Sequence, residues 1–270
     1  MAVLRCGLVL LGLSVIAVPA FAAGNDAVRL YAAGSLRVAM TEIGEAYRKV
    51  EGVAVAAEFG ASGLLRERIE KGTPAQVFAS ADMGHPQALQ RVGRAGPVVL
   101  FARNRLCALA SPQLRVTTGT LLDVLLDPAV RVGSSTPKND PSGDYTWLMF
   151  EKAEKLRPGA FQLLSGKALK LVGGAGAPPP PRDRSVYAQL MAENKADVFI
   201  TYCTNAIIAE REVPGLRIVQ LPEALAVGGN YGLTVLRGAG AGAERFALFV
   251  MSTDGQALLA KHGFTAPALP

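Results

Sequence analysis

Val28-Arg29-Leu30-Tyr31-Ala32-Ala33-Gly34-Ser35-Leu36-Arg37-Val38-Ala39-Met40 changes its period half-way. Val28 to Ala33 is a short, mostly apolar run closed by Gly34-Ser35, and it reads as a strand. Leu36, Met40, Ile43, Tyr47 and Val50 then follow at spacings of four and three, which predicts one apolar stripe along a helix. Ser35 stands where an N-cap would accept from the helix's free N–H groups. A strand passing through a Gly-Ser turn into a helix is the repeating unit of an α/β chain.

The same alternation runs outward from this unit. Strands are predicted at 53–59, 76–80, 98–102, 106–110, 130–133, 168–172, 197–202, 216–221 and 231–236. Helices are predicted after the turn Gly60-Ala61-Ser62-Gly63, after the capping Asp82, at 120–126, through Tyr145, Leu148 and Ala153, at 185–193, at 204–212 and twice at the end. Alternation of this kind predicts a mostly parallel sheet with helices on both faces. The polar segment 134–143 and the run Pro178 to Pro181 are expected to be loops, the second extended and on the surface.

The chain has 270 residues and is 50% hydrophobic, enough for one large domain or two ordinary ones with a sizeable core, and too apolar for a disordered linker. Arg5, the apolar run from Cys6 to Val18, Pro19 and Ala20-Phe21-Ala22 have the order of a secretory signal. Residues 1–22 are therefore expected to be cleaved near Ala22, leaving a periplasmic protein. Without Arg5, 27 basic residues face 22 acidic ones, for a net charge of +5. The basic residues are scattered and aromatics make up 6%, so nucleic acid is not an expected partner; a mild preference for anions is.

No enzyme motif is present. Gly60-Ala61-Ser62-Gly63 is one residue short of a nucleophile elbow, and no phosphate loop, C-x-x-C or H-E-x-x-H occurs. His85 and His262 read as surface residues, and two His with three Cys cannot build a metal cage, so no metal ligand and no cofactor are expected. What recurs is a serine in a Gly-rich turn between strand and helix: Ser35, Ser62 and Ser142. Each is open to two readings, a plain N-cap or a donor to a ligand. Open α/β sheets bind ligands where strand ends and helix N-termini converge, and there free N–H groups favour an anion.

Tyr31-Ala32-Ala33-Gly34-Ser35-Leu36, Phe59-Gly60-Ala61-Ser62-Gly63 and Pro74-Ala75-Gln76-Val77-Phe78-Ala79-Ser80-Ala81-Asp82 together resemble the N-terminal half of periplasmic molybdate-binding proteins of ABC-type uptake systems. Asn104-Arg105-Leu106, Pro141-Ser142-Gly143-Asp144-Tyr145 and Phe199-Ile200-Thr201-Tyr202 continue the resemblance in the same order, over essentially the whole mature chain. The resemblance implies a type II periplasmic binding fold, with lobes at 23–104 plus 230–270 and at 105–229. It implies a tetrahedral oxyanion, molybdate or tungstate, held by Ser35 and Ser62 from one lobe and by Ser142 and Tyr202 from the other. A fifth contact falls at Arg184 or Ser185, where the sequence departs from the family's small apolar residue followed by Arg. A monomer that passes its anion to an inner-membrane ABC permease, and no catalysis, complete the expectation.

Such a site is lined with neutral donors, and it disfavours a protonated oxyanion, whose proton would face donors rather than an acceptor. The competing readings are a same-fold receptor for another anion or a small organic acid, a sensory adaptor, and an exported serine hydrolase; the hydrolase lacks a base. Tyr202 is open to a second reading as a strand-end core residue. Cys107 and Cys203, the cysteines left after cleavage, either bond to each other or sit as separate buried thiols.

Overall fold

The computed structural model describes residues 27–174, 176–177, 181 and 184–267. The expected export signal and most of the proline run lie outside the described residues. In chain order the strands are β1 (Val28–Ala33), β2 (Val55–Gly60), β3 (Val77–Ser80), β4 (Val99–Ala110), β5 (Val132–Ser135), β6 (Leu169–Val172), β7 (Val198–Tyr202), β8 (Arg217–Gln220) and β9 (Gly228–Val235). The helices are α1 (Arg37–Glu51), α2 (Ser62–Glu70), α3 (Gly84–Arg91), α4 (Leu121–Leu126), α5 (Pro141–Leu156), α6 (Ala160–Lys167), α7 (Val186–Ala192), α8 (Cys203–Glu212), α9 (Ala241–Met251) and α10 (Thr253–Lys261).

The strands follow the order β2-β1-β3-β9-β4-β7-β5-β6, and β8 pairs with β4. β4 divides this array. Its residues from Val99 to Arg105 pair with β9, and those from Leu106 to Ala110 lie between β7 and β8. One half of the molecule is thus β2-β1-β3-β9 with the start of β4, and the other is β8, the end of β4, β7, β5 and β6. This is the two-part α/β architecture expected, with one correction. β1–β2, β1–β3, β5–β6 and β5–β7 are parallel, but every pairing of β4 and β9 is antiparallel. The sheet is therefore mixed rather than mostly parallel, because the two strands that pass between the halves run against their neighbours.

The predicted breaks at 98–102 and 106–110 are also corrected, to a single strand. Arg103-Asn104-Arg105 looks like a polar interruption, yet Asn104 is buried and its side-chain amide donates to Thr204 Oγ1 at 2.8 Å. α6 was not anticipated. In α1 the buried stripe is Met40, Ile43 and Tyr47, and it stops there: Val50 is 69% exposed. Gly52, in the left-handed region at φ 69°, ends that helix by donating to Arg48 O. Each buried Ile, Met or Phe contributes roughly 1.5–3 kcal/mol of transfer free energy. Tyr47 adds a fixed contact, since its hydroxyl donates to Gly242 O at 3.0 Å and its ring meets Phe246 edge-on at 5.2 Å. That contact ties α1 to α9.

Candidate functional site

A cavity of about 570 Å³ opens between the two halves. Its wall is made where strands end: Ala33 to Ser35 after β1, Gly60 to Ser62 after β2, Ala81 after β3, Asp140 after β5, Gly173 after β6 and Tyr202 at the end of β7. Convergence of carboxyl strand ends with helix starts is the usual ligand position in an open α/β sheet. Ser35, Ser62, Arg184, Ser185 and Tyr202 all line this cavity. Ser142 stands beside it, buried in the first turn of α5, with a hydroxyl that has no partner among the described residues.

The hydroxyls are set by their neighbours. Ser35 does not cap α1, which begins two residues later without a side-chain cap; its Oγ lies 2.9 Å from Tyr231 Oη instead. Asn104 Oδ1 accepts from its neighbour Arg105 N, so Asn104 Nδ2 is the group facing Tyr231 Oη, at 3.3 Å. Tyr231 therefore accepts from Asn104 and can turn its own proton to Ser35, leaving the Ser35 proton for the cavity. Ser62 Oγ accepts from Ala81 N at 3.1 Å, which likewise leaves its proton free. Tyr202 Oη donates to Ala81 O at 3.3 Å, a contact that crosses from one half to the other. Burial raises the pKa of Tyr202 and Tyr231 well above the ordinary phenol value, and that of Tyr145 to about 12. All three stay neutral near pH 7. Tyr231 carries no motif signal, and only the fold brings it and Asn104 to Ser35.

The far wall departs from the neutral donor lining expected. Asp140 precedes Pro141 and caps α5, its Oδ1 accepting from Ser142 N at 3.0 Å. Ser185 caps α7 through Ala188 N, and Ser185 N donates to the Glu212 carboxylate at 2.9 and 3.0 Å. Two amides facing the cleft are thus already engaged by carboxylates of the chain. Arg37, stacked on Phe59 at 5.0 Å, makes no ion pair among the described residues. Arg68 is engaged by Glu58 and by Tyr31 Oη, and the Arg68 hydrogen bond holds the Glu58 carboxyl below its usual range. Arg184 is exposed at the rim. Neither Asp140 nor Arg37 stood out in the sequence, since an Asp before Pro reads as a cap and an Arg after a Gly-Ser turn as surface.

Desolvation is the main reason the Asp140 carboxyl is pushed up to about 6, with the Ser142 N–H pulling the other way. A folded-state pKa above the unfolded one stabilises the protein most below about pH 4, and that stabilisation is lost as pH rises through about 6. Asn caps helices as well as Asp does. Asp140→Asn is therefore expected to raise stability at about pH 8 by about 2–3 kcal/mol and to leave it unchanged near about pH 3. Parallel denaturant titrations at the two pH values check this; an equal shift at both would contradict it.

The halves also touch across the cleft. Gly63 N, in the first turn of α2, donates to Asn139 O at 2.8 Å. Cys107 in β4 and Cys203, the first residue of α8, form a disulfide with Cα atoms 4.9 Å apart. It lies in a buried cluster with Leu109, Tyr187, Phe199 and Ala206, next to Tyr202.

A profile of the family described as Bacterial extracellular solute-binding protein matches residues 28–265. The chain belongs to this family. Among relatives of this solute-binding protein, the uncharacterized protein PM1146 of Pasteurella multocida is 37% identical over 207 residues, 76% of this chain and 86% of its own. The molybdate-binding protein ModA of Mycobacterium tuberculosis is 28% identical over 258 residues, 90% of this chain and 86% of its own. The periplasmic molybdate-binding protein of Azotobacter vinelandii superposes with a TM-score of 0.73 at 20% identity, over 89% of this chain and 100% of that one. The solute-binding protein thus has the type II periplasmic binding fold. No helix among its described residues is long and apolar enough to cross a membrane.

Proposed function

We propose that this chain is the extracytoplasmic binding component of an ABC-type uptake system, capturing a tetrahedral oxyanion, molybdate or tungstate, for an inner-membrane permease. The observation that carries this reading is the pair Ser35 and Ser62. Both sit after adjacent strand ends with hydroxyl protons left for the cavity, opposite Tyr202. The likeness to molybdate-binding relatives supports it. The ligand set is Ser35, Ser62, Ser142, Tyr202 and the Arg184–Ser185 turn, between lobes at 23–104 plus 230–270 and at 105–229. A monomer released into the periplasm after cleavage near Ala22 completes the reading.

Thermal melting with molybdate, tungstate, sulfate and phosphate is the direct test. An anion at 100 times its Kd stabilises the folded state by about 2.7 kcal/mol. Ser35→Ala and Ser62→Ala are each expected to weaken the bound anion by about 1.5–3 kcal/mol without unfolding the free protein. Tyr202→Phe is expected to weaken it less, because its hydroxyl is already engaged with Ala81 O. Wild-type calorimetric affinity in all three variants would remove the site.

A second reading, a small organic anion, is favoured by the lining. A cavity of about 570 Å³ has room for roughly 20 waters at ~30 Å³ each, more than a four-oxygen anion fills. Arg37 and Asp140 would suit a carboxylate or phosphate at one end and a hydroxyl or amine at the other.

A further inference from the structure

We propose that Asp140 couples anion capture to a single proton: a bare tetrahedral dianion binds with Asp140 protonated, whereas an anion that carries its own proton binds with Asp140 ionised. This rests on the cleft being the anion site proposed above.

The geometry puts an acceptor where the anion would sit. Asp140 lines the same cavity as Ser35, Ser62 and Tyr202, and its Oδ1 occupies the Ser142 amide that opens α5. Its other oxygen is confined by Gly173, where an added Cβ would stand 2.8 Å from Oδ2. The groups facing it among the described residues offer no neutralising cation. Tyr187 on α7, Tyr202 on β7 and Tyr231 on β9 are uncharged, Ser135 on β5 is a hydroxyl, and Asp144 on α5 adds a second negative charge. Among the described residues Asp140 has no ion pair, and those arginines of them that line the cleft are Arg37 on α1, Arg68 on α2 paired with Glu58, and Arg184 at the rim.

A bare dianion brought against an ionised carboxylate in a partly desolvated cleft sets two acceptors face to face, with no hydrogen bond to offset their repulsion. Transfer of a proton from solvent to Asp140 removes the repulsion. It turns an acceptor into an O–H donor to the anion and loosens the hold on Ser142 N–H, which then points at the anion too. Hydrogenphosphate needs no such transfer, since its own P–O–H donates to the Asp140 carboxylate. Burial already pushes this carboxyl up to about 6, so the proton is taken up readily near neutrality.

Calorimetry of the full mature chain in buffers of different ionisation enthalpy counts the protons taken up. About one per molybdate or sulfate and about none per hydrogenphosphate are expected at about pH 8. Molybdate affinity is expected to fall about tenfold per pH unit from about pH 6.5 to about pH 8.5. Asp140→Asn is expected to flatten that profile, abolish proton uptake, and bind molybdate about 100-fold more tightly than wild type at about pH 8. Asp123→Asn, which alters an exposed carboxylate on α4 outside the cavity lining, is expected to leave slope and proton count unchanged. Molybdate or sulfate binding to wild type without proton uptake, or a slope that survives Asp140→Asn or vanishes in Asp123→Asn, overturns the proposal. Failure of every anion to bind wild type sinks the oxyanion reading itself, a result distinct from binding without linkage.

Discussion

Double replacement of Cys107 and Cys203 by alanine is expected to lower stability by about 4–5 kcal/mol, the largest effect of any surface-remote change here. The two residues are 96 apart in sequence, and cross-linking a loop of that length removes much of the freedom of the unfolded chain. At this chain size the loss corresponds to a fall of roughly 10–15 °C in Tm. The cysteines also join two elements that otherwise meet only by packing and hydrogen bonding. Cys107 lies opposite Thr201 of β7 and Gln220 of β8, and Cys203 starts α8 directly after Tyr202. Affinity should weaken as well, because the bond holds the residue beside Tyr202. Chemical denaturation of wild type with and without reductant, set against the double variant, gives the measurement. Equal stability in all three would show that the bond contributes nothing.

Gly63→Ala is expected to weaken anion binding by about 100-fold while leaving the free protein as stable or slightly more so. A Cβ at this position would stand 2.7 Å from both Lys138 O and Asn139 O, and 3.0 Å from Asn139 Cα. These are backbone atoms of the opposite half and cannot rotate away. Alanine suits the first turn of α2 better than glycine does, so the strain falls only on the state in which the halves meet. If that state drops to about 1% of the population, the apparent affinity drops in proportion. Calorimetry with whichever anion stabilises wild type, together with solution scattering, checks both parts. Wild-type affinity in Gly63→Ala would mean that the halves need not approach to hold the ligand.

The strand-and-helix order was legible because each turn carries its own residues. Gly34-Ser35 and Gly60-Ala61-Ser62-Gly63 mark two of the strand ends that line the cavity, and both serines were read from their turns. The direction of β4 and β9 was not legible, since alternation of strands with helices marks where a strand lies and not which way its neighbours run. Arg103-Asn104-Arg105 was misread for a related reason. Periodicity registers polarity, while the burial of Asn104 depends on Thr204 and Tyr231, which lie 100 and 127 residues away. Asp140 was hidden by having two parts at once. As the cap of α5 it meets a local rule completely, and nothing local reveals that β6 and Gly173 bring the same carboxylate to the wall of the cleft. Ser142 shows the converse, a motif residue that the fold buries beside the cavity rather than in its lining.

The path of β4 through both halves also points to an order of assembly. β5 to β8 all lie between residues 132 and 220, so the half they form can close, and its cysteines can join, on an unbroken stretch of chain. The other half cannot. β1 to β3 wait for β9, which starts at Gly228, and for α9 and α10 behind it. Contacts between residues this distant in sequence form slowly. The half holding Ser35 and Ser62 is thus expected to be completed last, when the tail of the chain is laid between β3 and β4.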